Sequence, residues 1–288
     1  MKSGPAIRML AYAALGMVLG GIALPAQKGP GGGTPSRAGR VLPEVDQARA
    51  KEAALKGLRG ERRKAAQLEA AKAWARAAEA QKGNPSRAAR ARLREAVLLG
   101  LAGDAEGAEA AWKQVLQLDP DRLGARALVG LADLARRGGK TGKALELYQE
   151  AVKRFPKSNA PVQEALVWVG KIHMRAGRMD KAREAFEQVA RVTGSAGRLA
   201  YVYDLIVRTW LRQGNLEKAE EAFREAKAAL DRLGRGDERK ARAAKKALEG
   251  MRSGARIRRA RRAAGKGGES PGKKAPEKGG RVSSSVGA

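Results

Sequence analysis

Residues 177–194 read GRMDKAREAFEQVARVTG, and their landmark residues recur in three other stretches of the chain. These are GDAEGAEAAWKQVLQLDP from residue 103, GKTGKALELYQEAVKRFP from residue 139 and GNLEKAEEAFREAKAALD from residue 214. Each begins with glycine, has alanine five residues later and an aromatic residue four residues after that. The landmarks are Gly103, Ala108 and Trp112; Gly139, Ala144 and Tyr148; Gly177, Ala182 and Phe186; and Gly214, Ala219 and Phe223. The alanines are 36, 38 and 37 positions apart, which indicates an internal repeat.

Each landmark has a physical reason to occur where it does. Glycine tolerates the left-handed conformation that ends many helices, alanine allows two helices to approach closely, and the aromatic residue fills the gap toward the next helix. A second helical pattern precedes each glycine, such as VQEALVWVGKIHMRA, in which Gly170 allows close approach to the partner helix. Each unit is therefore predicted to be a helix–turn–helix pair that buries its apolar face by stacking on its neighbours.

These units resemble the tetratricopeptide repeat (TPR) family, whose repeat of about 34 residues has the same small-residue and aromatic landmarks. The resemblance covers residues 89–234 well, and residues 45–84 resemble a degenerate first unit with a long second helix. It implies an all-α fold, a right-handed α-solenoid of TPR units over residues 45–234. The third unit, residues 155–189, is similar to TPRs of bacterial envelope proteins that serve Tol–Pal and outer-membrane assembly.

The first residues of the chain have the layout of a secretory signal peptide, which we assign to residues 1–26. Lys2 and Arg8 provide positive charge around the start of the mostly apolar residues 9–24, and a small residue precedes position 27. The alternative is an uncleaved membrane anchor, although this run is shorter than the roughly 20 residues that span a bilayer core. Residues 27–44 are rich in Gly and Pro and are predicted to be a flexible linker. We therefore expect export to the periplasm or cell envelope.

The chain is strongly basic, with 59 Lys and Arg against 30 Asp and Glu and a net charge of +29. Residues 235–253 are predicted to form a capping helix, and residues 254–288 a basic, largely disordered tail. One hypothesis is that this tail binds anionic lipid or an anionic polymer; the alternative is a disordered end that only keeps the protein soluble. The candidate polyanion contacts are Arg256, Arg258, Arg259, Arg261 and Arg262. Sequence-specific nucleic-acid binding is not expected, because no zinc finger or aromatic stacking motif is present.

In TPR proteins the first helices of the repeats line a concave groove, and the resemblance implies which residues would lie there. The basic groove residues are Arg126, Arg137, Lys171, Arg175, Arg208 and Arg212. Arg137, Arg175 and Arg212 occupy equivalent positions in successive units, so stacking would set them in a ladder that can bind the carboxylates of an acidic peptide or of a chain terminus. The alternative is structural, since a basic residue in the last turn of a helix stabilises its C-terminus against the helix dipole.

The residues do not indicate an enzyme. The chain has no cysteine, and its one histidine, His173, falls at a packing position in a first helix. Carboxylates alternate with Lys and Arg, so no pair is singled out for glycoside hydrolysis. The stretch RRGGKTGK at residues 136–143 ends like a phosphate-binding P-loop, but the glycine that this motif requires at position 134 is replaced by Leu134. We expect no cofactor, metal or small-molecule substrate.

These features together predict an exported, non-catalytic scaffold that binds protein partners through its repeats. The alternative function is an envelope protein that binds polyanions or anionic membranes mainly through its C-terminal tail. Salt dependence distinguishes the two, because tail-driven binding should fall more steeply with ionic strength than docking in the groove.

Overall fold

A computed structural model describes residues 42–156 and 160–267 of the chain. Within these residues the chain forms α-helices and no β-strand. The helices are α1 Pro43–Ala53, α2 Gly60–Ala80, α3 Pro85–Ala102, α4 Ala105–Leu118, α5 Pro120–Arg137, α6 Thr141–Arg154, α7 Ala160–Arg175, α8 Met179–Val192, α9 Ala196–Arg212, α10 Leu216–Gly234, α11 Glu238–Glu249 and α12 Ser253–Gly267. The proposed signal peptide, the linker up to residue 41 and the last 21 residues lie outside the described part.

The helices pack as consecutive pairs, and this confirms the all-α solenoid. The four matched units are the pairs α3–α4, α5–α6, α7–α8 and α9–α10, and from α1 to α11 each helix also contacts the next one along the chain. First helices of neighbouring units touch where α3 meets α5 and α5 meets α7. The pair α1–α2 adds a unit at the N-terminal end, where α2 is the long second helix that the sequence indicates. Helix α1 includes the last two residues of the expected linker, because proline is favoured at a first helical position.

The four landmark glycines lie in the turns that join first and second helices. Their φ angles are 88° at Gly103, 78° at Gly139, 77° at Gly177 and 73° at Gly214, which is the left-handed region that favours glycine. Side-chain oxygens stabilise the starts of several helices by accepting a hydrogen bond from the backbone N–H of the residue three positions later. These N-cap residues are Asn84, Asp104, Asp119, Ser195, Asn215 and Asp237.

Landmark aromatic rings fill the spaces between helices, in places directly against a glycine. A β-carbon built on Gly170 of α7 would lie 2.4 Å from Cε1 of Phe186 in α8, and one on Gly130 of α5 would lie 2.3 Å from Cε2 of Trp112 in α4. The first contact joins the two helices of one unit, and the second joins successive units. Glycine at these positions therefore fixes how closely the helices approach.

The C-terminal end of the solenoid contains a helix that the sequence analysis did not predict. Helix α11 packs on the last unit, with Ala244 buried among residues of α9 and α10. Helix α12 follows, and it contacts both α9 and α10. The expectation of a largely disordered tail from residue 254 is therefore wrong up to residue 267. The basic composition of this segment indicates disorder, but acidic residues of the last unit pair with its arginines, as described below.

Candidate partner-binding groove

The helices α5, α7 and α9 carry the residues that the resemblance places in a concave groove. We call this surface the groove; its charged and tyrosine members are Arg126, Asp133, Arg137, Glu164, Lys171, Arg175, Tyr201, Asp204, Arg208 and Arg212. Its three carboxylates each have a partner within the chain. Arg126 donates to Glu164 across neighbouring units, with 3.0 Å between Nη1 and Oε2. Asp133 accepts from Arg136 at 3.1 Å and from the hydroxyl of the buried Tyr148 at 2.5 Å.

The third groove carboxylate, Asp204 in α9, is held by helix α12. Ser253 donates to its Oδ1 at 2.7 Å, and Nη1 of Arg256 lies 2.5 Å from its Oδ2. All three carboxylates of the groove thus have their negative charge compensated from inside the molecule. An acidic ligand would consequently meet little repulsion from them.

The positive charges of the groove have fewer partners of opposite charge within the chain than its carboxylates do, and Lys171 is the clearest case. Its ammonium lies 4.1 Å from the ring centre of Trp168 and 5.1 Å from that of Tyr201, distances at which the ring faces attract a cation. Burial, together with repulsion from Arg136 and Arg175, lowers the pKa of Lys171 to about 8. No carboxylate within the described residues forms an ion pair with this ammonium.

A titration of Lys171 should therefore show a midpoint near pH 8, well below the ordinary lysine value of 10.5. We expect this midpoint from NMR of the ¹³C-dimethylated chain, and a higher midpoint in Arg175→Gln, because one repelling charge is removed. Since the folded pKa is below the unfolded one, the ammonium costs stability below pH 8, and that cost is relieved as the pH rises toward 10.5. A midpoint above pH 10 would show that the amine is ordinarily solvated.

The arginines of α9 show the same crowding of positive charge. Burial and the neighbouring Arg256 and Arg212 lower the pKa of Arg208. Arg175 at the end of α7 is exposed and forms no ion pair or hydrogen bond with the residues that the structure describes. These like charges repel one another, and a bound anion would relieve that repulsion.

The proposed ladder of Arg137, Arg175 and Arg212 has two members with a structural contact. Arg137 donates to the carbonyl oxygen of Gly100 at 3.3 Å, and Arg212 donates to that of Met174 at 3.1 Å. Both carbonyls belong to the last turn of the first helix in the preceding unit, where helix carbonyls lack an intrahelical partner. These contacts support the C-terminus of the preceding first helix, whereas the structural alternative concerns the helix that carries the arginine; both side chains remain exposed.

Three further residues at the groove were missed by sequence reasoning. Trp168 packs against the fully buried Tyr148, with 6.4 Å between ring centroids, and Arg136 lies 3.9 Å above its ring centre. Trp168 lies one helical turn after Glu164, so helical spacing alone could have placed it beside the groove. Arg256 is 52 positions from its partner Asp204, and no local pattern could have indicated that contact.

The other sequence candidates have structural positions that agree with packing and turn formation. His173 is buried in α7, only 8% exposed, and burial together with the nearby Arg178 lowers its pKa. The P-loop-like stretch is the turn between α5 and α6, so a helix precedes it where the motif needs a strand. In residues 42–156 and 160–267, neither a group of metal-binding side chains nor a helix long and apolar enough to cross a bilayer is found.

The five tail arginines lie on α12 and fall into two groups. Arg256 contacts Asp204, and Arg261 contacts Glu220 of α10 at 2.5 Å. The other three are exposed and form no ion pair with a described residue: Arg258, Arg259 and Arg262. The sequence alone does not distinguish these two groups.

Comparison with known proteins gives both sequence and structural matches. The tetratricopeptide repeat model matches residues 102–159 and 129–198. The Arabidopsis thaliana protein CTR9 homolog is 34% identical over 95 residues, which is 33% of this chain but 8% of that protein. Among solved structures, BtubC (BKLC) from P. vanneervenii has a TM-score of 0.47 at 18% identity, with 85% of this chain and 98% of that one covered.

A second similar structure is MamA from Desulfovibrio magneticus RS-1, with a TM-score of 0.44, 17% identity, and coverage of 67% of this chain and 97% of that one. The sequence match over residues 102–198 falls on α4 to α9, the units that contain the landmark residues and most of the groove. The sequence match shows tetratricopeptide repeats in residues 102–198, and the repeat register and the stacked helix pairs agree with it there.

Proposed function

We propose that the protein is a non-catalytic scaffold that binds an acidic segment of a protein partner in its groove. TPR units are protein-interaction modules, and the observation that favours an acidic partner is the unequal compensation of charge. Asp133, Glu164 and Asp204 are each paired within the chain, whereas Lys171 and Arg175 have no acidic partner among the described residues. A ligand carboxylate would gain charge-assisted hydrogen bonds there.

We further propose that this scaffold acts in the cell envelope after export. The support is the sequence of residues 1–26, with its positive start, its apolar run and a small residue before position 27. Sequencing the N-terminus of the protein purified from its own cells tests this proposal. A mature chain that begins at Gln27 supports export, and a chain that retains Met1 in a soluble cell extract contradicts it.

Arg175→Glu is expected to weaken binding of poly-L-glutamate about tenfold, because it replaces an attracting charge with a repelling one beside Lys171. Thermal unfolding should change little, since the side chain is exposed and forms no ion pair or hydrogen bond with described residues. Fluorescence anisotropy with a labelled polymer measures the affinity, and circular dichroism measures the unfolding temperature.

The matched control is Arg224→Glu, which makes the same charge change at an exposed position of the second helix α10. It should lower the affinity less than threefold, because it changes the net charge without touching the groove. Equal losses in the two variants would mean that poly-L-glutamate binds through general attraction to a basic protein, and the groove proposal would then fail.

A further inference from the structure

We propose that α12 binds a linear, phosphate-bearing polyanion through its outer face while it stays docked on the last repeat. This goes beyond capture of a protein in the groove, because it assigns a separate ligand to a separate surface. It also differs from the simple tail hypothesis, in which all five arginines would contribute equally from a disordered segment.

The inner face of α12 packs against the last repeat and forms ion pairs with it. Ser253 and Arg256 hold Asp204 of α9, and Arg261 pairs with Glu220 of α10. Ile257 lies between them and is 7% exposed, as part of a core cluster that includes residues of α8, α9 and α10. Two carboxylates of the last repeat therefore recognise one side of a helix that is otherwise strongly basic.

The outer face of α12 is left with unpaired positive charge. Arg258, Arg259 and Arg262 are exposed and form no ion pair with a described residue. At about 100° per residue these three positions fall within roughly 100° of arc, and Arg258 and Arg262 are about 6 Å apart along the axis. A docked helix thus presents three guanidinium groups in a fixed row, and guanidinium geometry suits bidentate contact with phosphate oxygens.

The docked arrangement favours a linear polyanion over a bilayer. A helix that lies in a membrane interface inserts an apolar face among the lipids. On α12 the large apolar residue is Ile257, and it is packed against the repeat. Membrane insertion would require the helix to leave Asp204 and Glu220, whereas a phosphate polymer can use the outer arginines without that cost.

The first experiment compares two charge-matched sets of substitutions in the full chain, with inorganic polyphosphate as the probe. The outer variant Arg258→Gln/Arg262→Gln should lose at least tenfold in affinity and show a shallower dependence on salt, because fewer counterions are released. The inner variant Arg256→Gln/Arg261→Gln should lose less than threefold. A larger loss in the inner variant, or no loss in the outer one, overturns the proposal.

The second experiment asks whether α12 stays docked when the polymer binds. The chain has no cysteine, so Ile257→Cys carries one thiol at a buried position, and Ala255→Cys carries one at an exposed position of the same helix. Polyphosphate should leave the maleimide labelling rate of Ile257→Cys unchanged within twofold. A rise to the rate of Ala255→Cys would show that α12 leaves the repeat when the polymer binds. That result would overturn the proposal that the helix stays docked.

Two further measurements cover the remaining outcomes. Hydrogen exchange of α12 in the unmodified chain should also stay unchanged on polyphosphate binding, and this measurement does not depend on the packing of a substituted Ile257. Vesicles with 30% phosphatidylglycerol provide the lipid arm of the test. If they bind more tightly than polyphosphate and accelerate exchange in α12, the helix is a membrane-binding element and the proposal is wrong.

Discussion

Gly170→Ala is expected to lower the free energy of unfolding by about 2 kcal/mol, the middle of the range for overpacking a core. The added β-carbon would lie 2.4 Å from Cε1 and 2.8 Å from Cζ of Phe186. Phe186 is completely buried, so its ring cannot move aside without displacing its neighbours. Helices α7 and α8 must separate, and the gain in helix propensity from alanine does not compensate for that separation.

Urea denaturation followed by circular dichroism measures this loss, and Gly100→Ala is the matched control. Gly100 also lies inside a first helix, but a β-carbon there would be 3.7 Å from Cδ2 of Leu134, an ordinary contact distance. The control should raise stability by roughly 0.5–1 kcal/mol, because alanine is favoured over glycine within a helix. Similar effects of the two substitutions would show that close approach at Gly170 is not required.

Arg183→Ala is expected to cost about 2–3 kcal/mol of stability. Arg183 in α8 is only 6% exposed, and its guanidinium carbon lies 3.4 Å from the ring centre of Trp210 in α9. It also donates to Gln213 at 2.6 Å and pairs with Asp180. Truncation removes the packing between two successive units as well as the cation–π contact.

Arg183→Met separates these contributions, because methionine restores most of the volume without the charge. Asp180 is exposed and can be solvated, so removing its partner leaves no buried charge behind. We expect the methionine variant to stay within about 1 kcal/mol of the original chain, since buried ion pairs are often replaced by apolar residues at little cost. If both variants lose equally, the charge itself stabilises the α8–α9 contact and the packing argument is wrong. Thermal and urea unfolding of both variants provide the measurement.

The repeat architecture could be predicted from sequence because its determinants are local. Turn glycines such as Gly139, contact alanines such as Ala144 and ring positions such as Tyr148 recur at helical spacing, and each acts on residues within one unit or the next. The same register explains why a stretch that resembles a P-loop forms a turn. Local patterns of this kind specify a solenoid almost completely, since each unit contacts only its neighbours.

The candidate site was harder to predict, because its properties depend on side-chain pairs between distant positions. Helical spacing placed Lys171 and Asp204 on first helices, but it could not show that Arg256 would neutralise Asp204 or that Trp168 would lie beneath the ammonium. Composition was misleading for α12 in particular. A segment with few apolar residues is expected to be disordered, yet two carboxylates and one buried isoleucine dock this one.

The contacts of Arg137 and Arg212 have a mechanical consequence for the solenoid. Each side chain ties the end of its own first helix to the end of the preceding one, at the boundaries α3–α5 and α7–α9. At the α5–α7 boundary Arg175 forms no such tie with a described residue, and Arg126 with Glu164 joins the opposite end of those helices. That boundary is joined instead by Arg136 of α5 over the ring of Trp168 in α7 and by an apolar cluster that the two helices share. Side chains therefore join the first helices at each of these boundaries, so the solenoid resists bending between α5 and α7 while the guanidinium of Arg175 stays available to a ligand.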